Sequence, residues 1–192
     1  MAAKKARAKK SAKKTATRRA KKVAKKSALQ RAKKAARPAA RASDDAMIPE
    51  IIVHDGPAAL DFYKRAFGAT EVSRMMTPEG KLMHGELRVL GHRFFVCDEF
   101  SHEEGGTCRS PRTLGGTGVR ITVEVADAGV VAERAIAAGA TSLMAVQDMF
   151  WGGRYGKLLD PFGHEWGINQ QKVTLTAAQE KKAADAFLAK RA

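Results

Sequence analysis

The 192-residue chain carries 35 Lys and Arg against 20 Asp and Glu, a formal charge of +15 that is spread unevenly. Residues 1–43 hold 18 of the basic residues and no acidic one, which leaves 17 basic against 20 acidic residues, a net of −3, for the remainder. No run reaches the ~18 apolar residues of a membrane span, and no apolar stretch of ~7–15 residues follows the basic N-terminus, so neither a transmembrane helix nor a secretory signal is expected. A mitochondrial presequence would share the acid-poor composition but not the Lys doublets.

The tail is nearly all Lys, Arg and Ala, with no aromatic residue. It lacks the apolar surface needed to offset its ordering entropy, and its charges repel, so disorder in isolation is expected. Doublets recur at Lys9-Lys10, Lys13-Lys14, Arg18-Arg19, Lys21-Lys22 and Lys25-Lys26. Spaced cations on an Ala background neutralise phosphates without reading bases, which makes these residues the candidate nucleic-acid-binding set, for DNA or RNA alike. The composition is similar to that of alanine/lysine-rich histone-like tails. A solubilising tail is the alternative, and the missing aromatics argue against membrane insertion and against stacking on single strands. Pro38 argues against a helix running into the body, and Asp44-Asp45 marks the end of a tail and linker spanning 1–46.

The body begins with an apolar strand, Ile48–Val53. Pro57–Phe67 has the features of a helix. Pro57 suits its first turn, Leu60, Tyr63 and Phe67 form an apolar face, and Gly68 suits its end. Strands follow at Glu71–Met76 and Lys81–Leu90 around a Pro78-Glu79-Gly80 turn, and at His92–Asp98. Glu99–Thr117 has the composition of a connecting loop. Val119–Ala126 is a strand, Ala128–Ala138 a helix, and Ser142–Gln147, Tyr155–Leu159 and His164–Gln170 are strands. Thr176 and Gln179 stand at capping-box spacing before a last helix, Ala177–Ala189, with Phe187 and Leu188 as docking residues.

The two halves of the body repeat each other. Ala66-Phe67-Gly68-Ala69-Thr70 returns as Ala137-Ala138-Gly139-Ala140-Thr141, and Gly91-His92 returns as Gly163-His164. One βαβββ unit used twice is the expectation, in an α+β domain at 47–171 with modules 47–99 and 118–171 and a C-terminal helical segment at 172–192.

The first unit carries Ala59-Leu60-Asp61-Phe62-Tyr63-Lys64-Arg65-Ala66-Phe67-Gly68-Ala69 with His84-Gly85-Glu86-Leu87, and the second carries Trp151-Gly152-Gly153-Arg154-Tyr155-Gly156 and Asp160-Pro161-Phe162-Gly163-His164-Glu165-Trp166. On these residues the units resemble the vicinal oxygen chelate superfamily, which includes glyoxalase I, bleomycin resistance proteins and extradiol dioxygenases, and within it the PhnB-like branch. The resemblance implies sheets curled into an open, barrel-like cleft with helices outside, holding a small-molecule ligand and in many members a divalent metal. It also implies a homodimer, with the cleft built within one chain or across two.

The metal positions implied by the resemblance fall on Ile48, Phe95, Arg120 and Gly167, none of which offers a metal donor. No metal and no other cofactor is therefore expected. Glu50, Glu124 or Glu165 enters the set only if the frame shifts by one or two residues.

Strand alternation sorts the other polar groups. Leu82, His84, Glu86 and Arg88 share one face of their strand, and Met83, Leu87 and Val89 the other. His84 and Glu86 are the candidate catalytic pair, acting as acid and base or anchoring substrate, against a structural His beside a solvated Glu. Glu50, Arg120 and Glu124 are candidate ligand-binding residues. Arg120 either holds an anionic ligand bidentately or pairs with Glu124 or Glu50. Trp151, Arg154 and Tyr155 lie in a segment of aromatics and glycines suited to a pocket, or to a turn with core aromatics. Asp160–Gly163 is a turn, with His164 and Trp166 as packing residues. Cys97 and Cys108 are expected to be reduced thiols. The expected location is the cytoplasm, with nucleoid association through the tail. Three functions fit: a glyoxalase-like enzyme on an oxygenated or anionic metabolite, metal-free or, alternatively, metal-dependent; a binder that sequesters such a ligand; or a dimeric adaptor for the nucleic-acid tail.

Overall fold

A strand, a helix and three strands occur twice in the computed structural model, which describes residues 47–190. The proposed nucleic-acid-binding residues of the tail lie outside the described residues. The first module has β1 (Glu50–Val53), α1 (Gly56–Phe67), β2 (Thr70–Met76), β3 (Leu82–Val89) and β4 (His92–Asp98). A short α2 (Pro111–Leu114) lies between the modules. The second has β5 (Arg120–Glu124), α3 (Ala128–Ala138), β6 (Thr141–Asp148), β7 (Gly153–Leu159) and β8 (Glu165–Gln171), and α4 (Ala177–Ala189) closes the chain. Each module is a four-stranded mixed sheet, ordered β1-β4-β3-β2 and β5-β8-β7-β6, with its first and last strands parallel.

The repeated words sit where the backbone needs them. Asp55 caps α1 by accepting from the Ala58 amide, and Asp127 caps α3 by accepting from Gly129 and Val130. Gly68 and Gly139 end the two helices at φ of 65° and 122°, values that a side chain would strain. The helix α2 falls inside the expected loop, because a single turn is too short to show a period. In α4 the capping box forms between Thr176 and Gln179. Phe187 docks on Phe150 at 4.9 Å between ring centroids, whereas Leu188, expected to dock as well, is exposed.

Both helices and the helix-facing sides of both sheets share one core. Tyr63 and Phe67 of α1 reach Trp166 of β8 at 5.5 and 4.4 Å, and Phe94 of β4 reaches it at 5.5 Å. A buried aromatic ring removes ~150–250 Å² from water, roughly 4–6 kcal/mol at ~25 cal/mol per Å², against about 1 kcal/mol for a hydrogen bond. The ring cluster therefore holds the modules together. Asp160 orders it, accepting from the Tyr63 hydroxyl at 2.7 Å, Trp166 Nε1 at 2.9 Å and the Phe162 and His164 amides at 2.9 Å each.

Simple alternation fails at one place in β3. Met75 pairs with His84 but Met76 pairs with Leu82, so Met83 is an extra, bulged residue. Leu82 consequently turns into the core, away from the face of His84, Glu86 and Arg88 with which strict alternation grouped it. No helix among the described residues is long and apolar enough to cross a membrane.

Candidate functional site

Each sheet has one side packed on helices and one side free of them. Phe94 and Trp166 both project from the helix side and touch, so the two helix-free faces point away from the shared core. The described bonds between modules, Tyr63 to Asp160, Arg134 to the Ala66 carbonyl and His164 to the Ile52 carbonyl, belong to that core and its rim.

The helix-free face of the first sheet carries His84, Glu86, Arg93, Phe95, Cys97 and Glu50. Glu86 is only 5% exposed, and Arg93 holds its carboxylate with Nε at 3.0 Å and Nη2 at 3.4 Å. The same guanidinium lies 5.0 Å from the Phe95 ring, and His84 stands edge-on to that ring at 4.7 Å. Phe95 is thus a platform that orients both an imidazole and an ion pair. Burial, then the nearby Glu50 and Asp98 charges, push the Cys97 thiol up to about 11, which keeps it protonated at neutral pH.

The second sheet presents Arg120, Thr122, Glu124, Glu165, Tyr155 and Asn169. Arg120 donates from Nε and Nη2 to Glu165 Oε2 at 2.9 and 2.6 Å, which raises the guanidinium pKa further. The parallel register that sets Arg120 beside Glu165 explains why it pairs there, rather than with Glu124 or Glu50. Glu124 instead accepts from Asn169 Nδ2 at 2.6 Å and the Gln171 amide at 3.0 Å. Gly167 forms the floor. A Cβ there would lie 2.6 Å from both Thr122 Oγ1 and the Tyr155 hydroxyl, so only glycine leaves room for that pair. Trp151 stands edge-on to Tyr155 at 6.0 Å and to Phe150 at 5.0 Å, forming an aromatic wall. Arg154 alternates to the other side of β7 from Tyr155 and pairs with Asp148 at 3.4 Å, apart from this set. Asn169 escaped the sequence reading, although it follows Glu165 and Gly167 in the same alternation.

The register also shows which residues face each other at the positions that the resemblance implies for a metal. Glu50, not Ile48, lies opposite Phe95, and Thr122, not Arg120, lies opposite Gly167. One carboxylate and one hydroxyl do not make the donor set of a divalent ion. Among the described residues no three His, Cys, Asp or Glu side chains stand close enough to hold one.

Residues 46–168 match the family model described as Glyoxalase/Bleomycin resistance protein/Dioxygenase superfamily. An uncharacterized protein of Mycobacterium tuberculosis is 42% identical over 127 residues, covering 66% of this chain and 75% of that one. Among solved structures, TioX from a Micromonospora species aligns with a TM-score of 0.53 at 26% identity, covering 66% of this chain and 98% of that chain. An Arabidopsis thaliana gene product aligns at 0.50 and 28% identity, covering 64% of this chain and 96% of that chain.

Proposed function

The chain belongs to the glyoxalase/bleomycin resistance protein/dioxygenase superfamily, and on that premise we propose that it binds a small oxygenated or anionic metabolite on its helix-free sheet faces, as a PhnB-like member without a resident metal. The observation that carries the reading is the cluster of Arg120, Thr122 and Tyr155 around the Gly167 floor. A guanidinium has five N–H donors, and the Glu165 carboxylate engages two of them. The guanidinium also interacts with the Tyr155 hydroxyl, and the donors left over from Glu165 and Tyr155, with the Thr122 hydroxyl, suit the oxygens of a carboxylate or phosphonate, while Trp151 suits an apolar body.

The face of His84 and Glu86 supplies the other half. Arg93 and Phe95 hold Glu86 and His84, so the pair anchors the ligand, and His84 is the group suited to move a proton if the ligand is transformed. Because the two faces diverge within one chain, the cleft is completed by a second copy, with opposite modules meeting. The Lys/Arg tail holds this dimer on DNA or RNA without sequence preference.

A thermal-shift screen of the full chain against small carboxylates and phosphonates tests the reading. Ligands that stabilise the native chain should not stabilise Arg120→Ala or Tyr155→Phe, while both variants keep the native circular dichroism. Equal stabilisation of all three would refute it.

A further inference from the structure

A cavity of about 480 Å³ opens between the modules, and none of Arg120, Tyr155, His84 and Glu86 lines it. Its wall includes His54, Pro111, Arg112, Leu159, Pro161 and Phe162. The buried Phe162 is fixed from behind, with its amide bonded to Asp160 and its ring 6.0 Å from Phe62. The adjoining Gly163 is at φ of 90°, and a Cβ on it would lie 2.8 Å from Pro111 Cβ, so the turn and α2 meet with no room for a side chain. Glu99 fixes the opposite wall, its Oε2 accepting from the Ser110 amide at 2.9 Å, Ser110 Oγ at 2.5 Å and Thr113 Oγ1 at 2.7 Å. Both walls are thus held by buried or multiply bonded carboxylates, while the exposed His54 and Arg112 stand at the rim.

Its chemistry is uneven in a telling way. The floor of Phe162, Pro161 and Pro111 is apolar. At its edge, Arg112 has no hydrogen-bond or ion-pair partner among the described residues, although most other arginines there engage a carboxylate or a backbone carbonyl. The His54 ring packs on Phe162 at 5.5 Å and has no hydrogen-bond partner among the described residues. A permanent cation and an imidazole beside an apolar floor complement a ligand with a flat apolar body and one negative end.

We propose that this cavity is a second binding site, for a planar apolar carboxylate whose ring lies on Phe162 and the two prolines and whose carboxylate meets Arg112 and His54. The site shares none of these residues with the helix-free faces, so it stands or falls apart from the function proposed above.

Amide-resolved NMR of the full chain titrated with 2-naphthoate tests it, with neutral 2-naphthalenemethanol as the control. Saturable shifts are expected at Gly115, Gly116 and Gly163. Losing a charge-assisted hydrogen bond should weaken 2-naphthoate binding about tenfold or more in Arg112→Ala, and the neutral alcohol should bind the native chain about tenfold more weakly. His54→Ala should show a smaller loss. The proposal is overturned by shifts centred on Gly167 and Tyr155, by equal affinity of native and Arg112→Ala chains, or by no saturable shift at millimolar 2-naphthoate.

Discussion

Asp160 gathers four donors onto one buried carboxylate. It is buried, yet both oxygens are used: one by the Tyr63 hydroxyl and the Trp166 indole, the other by two turn amides. Burial first, then the Asp160 charge and hydrogen bond, hold the Tyr63 hydroxyl well above its ordinary range, so it stays a donor at any physiological pH. Replacing Asp160 with Ala deprives four buried donors of their acceptor, two side-chain and two backbone, at about 1–3 kcal/mol each, so urea unfolding should show a loss of roughly 4 kcal/mol or more. Tyr63→Phe should lose only about 1–2 kcal/mol, since Trp166 and both amides keep their acceptor. Equal losses would show that Asp160 does not act as the shared acceptor. In the sequence this residue is legible only as part of an Asp-Pro turn. Its burial depends on rings from the other module, which no local pattern reports.

At the scale of elements, the loop carrying α2 depends on Glu99. Hydrogen bonds from the Ser110 hydroxyl, Thr113 and the Ser110 amide hold its carboxyl down at about 2. A depressed carboxylate contributes stability above its unfolded value of ~4.3 and loses it as pH falls toward the folded one. Amide exchange at Ser110 and Thr113 should therefore accelerate as pH drops from about 4 to 2, beyond the intrinsic pH trend, and Glu99→Gln should flatten that dependence. An unchanged acid profile in the variant would exclude Glu99 as the clamp. Glu71 and Glu104 are also held down at about 2, so only this local readout isolates Glu99.

The same scale shows what local chemistry can and cannot announce. The helix ends were legible, because Gly68 and Gly139 mark a backbone conformation that other residues resist. The strand pairs were legible from apolar runs and turn residues. The Met83 bulge was not, since an extra residue leaves the composition of a strand unchanged while moving Leu82 to the other side. For the candidate site the sequence offers residue types and not their pairings. Arg120 stood out as a cation on a strand, but its partner Glu165 lies 45 positions away and is set by parallel register.

For the whole molecule, charge and symmetry carry the expectations. Residues 1–43 concentrate 18 positive charges beside a remainder of net −3, so affinity for nucleic acid should reside in the tail. If about ten phosphates are contacted, log K should fall against log salt with a slope of roughly −9, and a 44–192 fragment should not bind. A slope near zero, or equal binding by the fragment, would remove the tail as the binding element. The diverging helix-free faces are expected to become a metal-free ligand site when two copies meet. Native mass spectrometry of the full chain, incubated with a small-metabolite extract, reads all three parts at once. A dimer carrying a bound organic molecule and no transition metal is the predicted result, with the molecule lost in Arg120→Ala. A monomer, a stoichiometric divalent metal, or a ligand that the variant retains would overturn a metal-free site shared by two copies.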